Sequence, residues 1–265
     1  MVFFHQFAPE FSDATLRRLS ELEFELKDEL PKATPIQKLE TRLEQTPEGR
    51  TSRLTEKPSG IELRRFNANG DVEWLLRITE TTIAAHCLDY STWEQVWPQA
   101  QHYLQQASAH LEGESNFLTA VGLKYVDRFL YEGPVSAYDP RLLFAEQSGQ
   151  LPRQLLTSQP LWHCHTGWFE PLAGIEQDSL NQLNIDTIFV NLAGRRRHVT
   201  TIEHTAVLHL TGYDNAASEN TAEVEPQDDK RSVQIMVNLH DHNKRLLQGL
   251  LNVDMVRRIN LGTLP

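Results

Sequence analysis

Cysteine is scarce: 265 residues contain two, Cys87 and Cys164, too few for a disulfide framework. Both lie in apolar or aromatic surroundings, which suits a reducing compartment and makes Cys87, in an apolar run, a poor nucleophile. Long hydrophobic runs are missing as well, and none approaches the roughly 20 residues of a membrane-spanning helix. The opening "MVFFHQFAPEFSD" is too short and too interrupted for a secretion signal. A soluble cytoplasmic protein that does not engage membranes is therefore expected. Basic charge is short too: 25 Lys and Arg stand against 36 Asp and Glu, a formal charge of -11. That field repels phosphate backbones, so general nucleic-acid binding is not expected. Catalytic signatures are also missing. There is no Gly-rich phosphate loop, G-x-S-x-G elbow, C-x-x-C pair or H-E-x-x-H helix, so nothing marks an enzyme or a cofactor.

What is present is an ordinary globular composition, 40% hydrophobic and 23% charged, in a length that suits one large domain or two small ones. "VFFHQF" from Val2 reads as a buried strand ended by Pro9. Leu16, Leu19, Leu22, Leu26 and Leu30 recur at helical spacing behind a cap at Ser12 or Asp13, and Pro31 stops the helix. Residues 35–59 suggest extended segments or a hairpin. "IELRRF" and "VEWLLRI" flank Asn69-Gly70, a hairpin turn signal, and "TTIAAHCL" adds a strand apolar on both faces. Trp93, Val96, Trp97, Ala100, Tyr103, Leu104, Ala107 and Leu111 form one helical stripe, with Pro98 in its early turns. "FLTAVGLKYVDRFLYEGP" is a long strand ended by Gly133 and Pro134.

The second half opens with a short helix or turn at "SAYDPRLLFAEQ" and repeats the strand theme in "PLWHCHTGWFEP", "LNIDTIFVNL" and "HVTTIEHTAVLHLTGY". The acidic stretch from Asp214 reads as an exposed loop, and a helix closes the chain. The expected fold is α+β: mostly antiparallel sheets packed by amphipathic helices, in two similar halves over 1–134 and 135–265, or one continuous domain.

Histidines raise the question of a metal. In a strand His163 and His165 point to one face and could chelate together, with Trp162, Cys164 and Thr166 opposite. His240 and His242 repeat the spacing. Read as a helix, however, "RSVQIMVNLHDHNKRLLQGLLN" puts Met236, Leu239, His240, Asn243, Leu246, Leu247 and Leu250 on one face and sends Asp241 and His242 elsewhere, with the two histidines about 200° apart. The competing strand reading rests on Val233, Ile235, Val237 and Leu239. The helix is preferred because the leucines stay in register, and His240 is then a packed residue making one hydrogen bond. A further three histidines, His198, His204 and His209, fall in the strand-rich region without a defined geometry. Asp127 beside Arg128 reads as a surface ion pair. The basic run Arg195, Arg196, Arg197 reads as a solvated turn or as a contact for a phosphate or an acidic partner.

"YSTWEQVW" followed by "VGLKYVDRF" resembles the hallmark of a sporadically distributed family of uncharacterised bacterial and archaeal proteins. Their pattern is roughly Y-x-x-W-x-x-F and then a strand reading G-L-R-Y-x-N-R, with Lys124 here in place of the Arg and Asp127 in place of the Asn. "LHDHNKRL" is similar to that family's terminal helix, including the apolar Leu247 seven residues after His240. The resemblance implies a prokaryotic accessory gene product of the defence or toxin–antitoxin kind and brings no activity with it. Read from the residues alone, Tyr90, Trp93 and Trp97 anchor a helix to a sheet, and Lys124 and Arg128 share a strand face around Val126.

The leading expectation is a non-catalytic binding or regulatory protein that engages a protein partner, preferably a strongly basic one. The contact candidates are Arg195, Arg196, Arg197, Lys124, Arg128, Trp162 and Trp168. A homodimer is compatible with the same features. One alternative is a metal-dependent hydrolase or nuclease using His163 and His165. Another is a small-ligand binder with a pocket lined by Trp74, Trp162 and Trp168.

Overall fold

The computed structural model describes residues 1–46, 49–157, 160–192, 194–210 and 229–262. The acidic loop expected from Asp214 lies outside the described residues. The fold is α+β, as expected. Nine strands form an antiparallel sheet in the order β2-β3-β4-β5-β1-β6-β9-β8-β7. They are β1 Val2–Ala8, β2 Lys32–Thr46, β3 Gly49–Phe66, β4 Val72–Ile78, β5 Thr82–Cys87, β6 Phe117–Tyr131, β7 Trp162–Pro171, β8 Asp178–Leu192 and β9 Arg195–His209. Among the described residues five α-helices accompany them: α1 Asp13–Leu19, α2 Leu22–Glu25, α3 Trp93–Ala109, α4 Asp229–Leu250 and α5 Val253–Arg258. Two compact units result, residues 1–121 and residues 122–210 with 230–262, and β6 contributes to both.

In the first unit the leucine repeat is one buried row carried on two short helices. The chain breaks between Leu19 and Leu22, and Leu16, Leu19, Leu22, Leu26 and Leu30 are all buried. Ser12 caps α1 by accepting from the Thr15 backbone N–H at 3.1 Å, which settles the cap between the two candidates. Phe3, His5 and Phe7 alternate inward along β1, because successive side chains of a strand face opposite ways. Phe3 meets Trp93 and Trp97, whose rings stack at 5.4 Å and 12° and hold the first turn of α3 on the sheet. Tyr90, expected to share in this anchor, is exposed instead.

The Asn-Gly hairpin forms between β3 and β4. Gly70 donates to Asn67 O at 3.0 Å and has φ 84°, while the Asn67 side chain accepts from the Asn69 and Asp71 backbones. The positive φ therefore falls on the one residue in the turn without a Cβ. Residues 35–46 and 49–59 belong to the long antiparallel pair β2 and β3, interrupted by a register shift between Ile36 and Gln37. At that shift Gly60 has φ 148°, and a Cβ there would lie 1.9 Å from Ile78 O.

In the second unit the inner sheet face carries Leu183, Ile185 and Ile202. It packs with Leu246, Leu247, Leu250 and Leu251 around α4, and with Leu143, Phe144, Leu151 and Leu156 from the segment before β7. Phe144 bridges Leu251, and Ala145 donates to Leu250 O at 2.9 Å, so that segment is tied to the end of α4. The "SAYDPRLLFAEQ" stretch forms two short 3-10 turns here.

Candidate functional site

β7 alternates strictly between half-buried and exposed residues. Trp162, Cys164, Thr166 and Trp168 face inward, while His163 and His165 share the outer face, so the anticipated division of this stretch holds. His163 is well exposed, and its Nδ1 lies 3.6 Å from Asp186 Oδ1 on β8. Among the described residues no three His, Cys, Asp or Glu side chains gather to hold a metal ion. A shallow groove of about 410 Å³ runs beside β7, lined by Gly149–Pro152 and by Cys164, His165 and Thr166. Burial pushes the Cys164 thiol up, away from thiolate reactivity.

The tryptophans named as contacts have structural neighbours. Trp162 packs 5.7 Å from Phe144, and Trp168 donates from Nε1 to Glu170 Oε2 at 2.9 Å. Trp74 belongs to the first unit's core, edge-on to Tyr103, where burial raises the phenol to about 12.

The second histidine cluster requires a correction. α4 is a helix, as the leucine register implies, but its buried row is Ser232, Ile235, Met236, Leu239, His242, Asn243, Leu246, Leu247 and Leu250. His242 is therefore buried, and His240 stands at the flank of the row. The centre of the stripe is rotated from the position hydropathy implies, bringing His242 inside beside His204 with its Nε2 unpartnered among the described residues, while Asn243, on the expected face, meets His204. His240 makes the hydrogen bond expected of it, with Nδ1 2.5 Å from Tyr125 Oη on β6.

Those inner partners form a network that the sequence did not reveal. His204, on the apolar face of β9, lies 2.8 Å from the Asn243 carboxamide through Nδ1 and 3.1 Å from Asn181 Oδ1 through Nε2. Asn181 in turn donates to Ser179 O and Oγ, and Ser179 Oγ donates to Glu170 O. Because the Asn181 amide nitrogen is already committed to Ser179, its oxygen must accept from His204 Nε2–H. Burial lowers His204 to about 4, so the ring is neutral. Its Nδ1 faces Asn243 Oδ1, so one ring N–H serves two amide oxygens. Trp168 lies parallel to His204 at 6.2 Å, and His242 sits 5.8 Å from His204 and 3.9 Å from Glu170 Oε2. Burial also lowers His242. The available signal was parity, since 198 and 204 share the face of Ile202, Ala206 and Leu208.

The outer face of this unit is different. Lys124 donates to Glu203 at 2.8 Å and Arg197 donates to Glu132 O at 3.1 Å, which lays the Val126–Leu130 stretch of β6 alongside Arg197–Thr201 of β9. Lys124, Val126, Arg128 and Leu130 do share one strand face, as expected. Asp127 points the other way, into a half-buried position where burial pushes its carboxyl up, so it forms no surface ion pair with Arg128. Val126, Leu130, Ile188 and Leu192 are each between 37% and 48% exposed and gather toward one end of β6 and β8, whereas Phe169, 56% exposed on the same face, pairs with Leu180 at the far end of β8. At one end stand Arg128, Arg195 and Arg197. Arg196 turns back over the Phe189 ring at 3.9 Å, and His198, held by Pro160 O at 2.6 Å, meets the same ring edge-on.

No known protein family and no curated protein matches the chain. Among solved structures, the di-domain ARO/CYC StfQ from the steffimycin biosynthetic pathway aligns over 93% of this chain and 96% of its own, at 11% identity and a TM-score of 0.17. A correspondence that loose carries no argument about this chain. No described helix is long and apolar enough to cross a membrane.

Proposed function

We propose that this chain is a non-catalytic binding or regulatory protein that docks a protein partner on the outer face of its second unit, and that it is an accessory gene product of a prokaryote. The observation that carries this reading is the open patch of Val126, Leu130, Ile188 and Leu192. Apolar groups held in water on a rigid sheet gain roughly 25 cal/mol per Å² when a partner covers them. The missing catalytic motifs, the enclosure of the His204 network away from solvent and the family resemblance support the same reading.

Co-expression with the products of neighbouring genes, followed by purification, tests it. The expected result is a stable complex that is lost in the Leu130→Asp, Ile188→Asp double variant. A chain that takes up no partner, or a complex indifferent to those changes, contradicts it. Stoichiometric metal that disappears on replacing His163 and His165 by Ala would contradict it in favour of a metal-dependent hydrolase.

A further inference from the structure

Resting on that docking reading, we infer that the partner presents an acidic, extended segment carrying apolar side chains. The open apolar patch ends at a basic cluster in a chain whose formal charge is -11. Arg128 on β6 and Arg195 and Arg197 on β9 stand on the outer face beside Leu130, Val190 and Leu192. Among the described residues Arg128 and Arg195 have no ion-pair partner, and Arg197 is held only by a backbone carbonyl. The acids of this face lie elsewhere or are engaged. Glu203 takes Lys124, Asp186 faces His163, and Glu132 stands at the margin, contributing its carbonyl to Arg197.

Like charges on adjacent strands oppose pairing unless something neutralises them. An anion supplied from outside does so, and arginine's planar fork holds a carboxylate in two parallel hydrogen bonds. The spacing of the sheet selects the rest. Outward residues recur every second position along each strand, and an extended ligand likewise turns only every second residue toward the sheet, so a segment whose facing positions alternate acidic and apolar, a repeat of about four residues, meets arginines and apolar side chains in turn. The overall acidity then works as a filter, because only a partner engaging this cluster avoids the repulsion of the remaining surface. The strongly basic partner that net charge alone would favour is replaced at this face by an acidic one.

The test uses the whole chain and fluorescent peptides repeating Glu-Ser-Leu-Ser, Lys-Ser-Leu-Ser and Ser-Ser-Leu-Ser, called Glu-Leu, Lys-Leu and Ser-Leu after the residues they turn to the sheet, with a single-stranded oligonucleotide as a fourth probe. The Glu-Leu peptide should bind, more weakly as salt rises and the charges are screened over about 10 Å or less. The Arg128→Glu, Arg195→Glu double variant should lose about tenfold or more in affinity, the loss of roughly one charge-assisted contact. Lys27→Glu, an exposed change in the first unit, should leave binding unaltered, and unchanged melting would show that each variant is folded. If Lys-Leu or Ser-Leu binds as well as Glu-Leu and is lost in Ile188→Asp, the face docks proteins but this inference is wrong. Binding of the oligonucleotide in place of the peptide also overturns it. Failure of every probe contradicts the docking reading as well.

Discussion

At the scale of the residue, the buried histidines make the sharpest physical statements. His5, with Nδ1 unpartnered in the first unit's core, and His204 both fall from the ordinary 6.5 to about 4 because burial penalises the charged ring. As pH drops below 6.5 the unfolded chain binds protons that these sites refuse until about 4, so stability is full above that window and is lost across it. Each histidine withdraws up to about 3 kcal/mol. His5→Leu should therefore gain stability relative to the natural chain at pH 5 compared with pH 7, read by urea unfolding at the two values, and an equal difference at both would refute the account. His204→Phe keeps the ring stack on Trp168 but strands the Asn181 and Asn243 amides, an expected loss of about 2 to 5 kcal/mol. A loss below about 0.5 kcal/mol would mean those amides find other partners.

The element scale is where local rules and tertiary demands part company. Strand β7 was legible because its alternation is unbroken and the side-chain period of a strand is two, so the sequence alone places His163 and His165 opposite Trp162 and Cys164. The aromatic stripe of α3 and the Asn-Gly turn were legible for the same local reasons. Helix α4 was legible as a helix but not in its rotation. Hydropathy alone sets His242 aside, whereas the fold offers it and Asn243 a polar niche formed by residues from three strands. No property of a single segment encodes that niche. Gly60 shows another tertiary demand, since nothing local distinguishes it from other strand glycines. Gly60→Ala should lower stability by about 2 kcal/mol or more, because its Cβ would meet Ile78 O and its backbone would be strained. A thermal shift within error of the natural chain would show that β3 can relax there.

On the scale of the whole molecule, the two faces of the second unit's sheet divide the labour. The inner face is closed by α4 and by the segment before β7 and holds a hydrogen-bonded chain from His204 through Asn181 and Ser179 to Glu170 O, with His242 Nε2 and Trp162 Nε1 unpartnered among the described residues. The outer face keeps apolar side chains and arginines in water. The fold class and the inner core could be anticipated from periodicity, but the open face could not, since which strands lie side by side is a long-range fact. The docking account turns on that face. Its most direct test is the dissociation constant of the co-purified partner, measured for the natural chain, for the Leu130→Asp, Ile188→Asp variant, and for Leu39→Asp at an exposed position of β2 in the first unit. The account predicts a loss of about a hundredfold or more in the double variant, the roughly 3 kcal/mol of two desolvated anchors, and no change in Leu39→Asp. Equal affinity in all three proteins would contradict it.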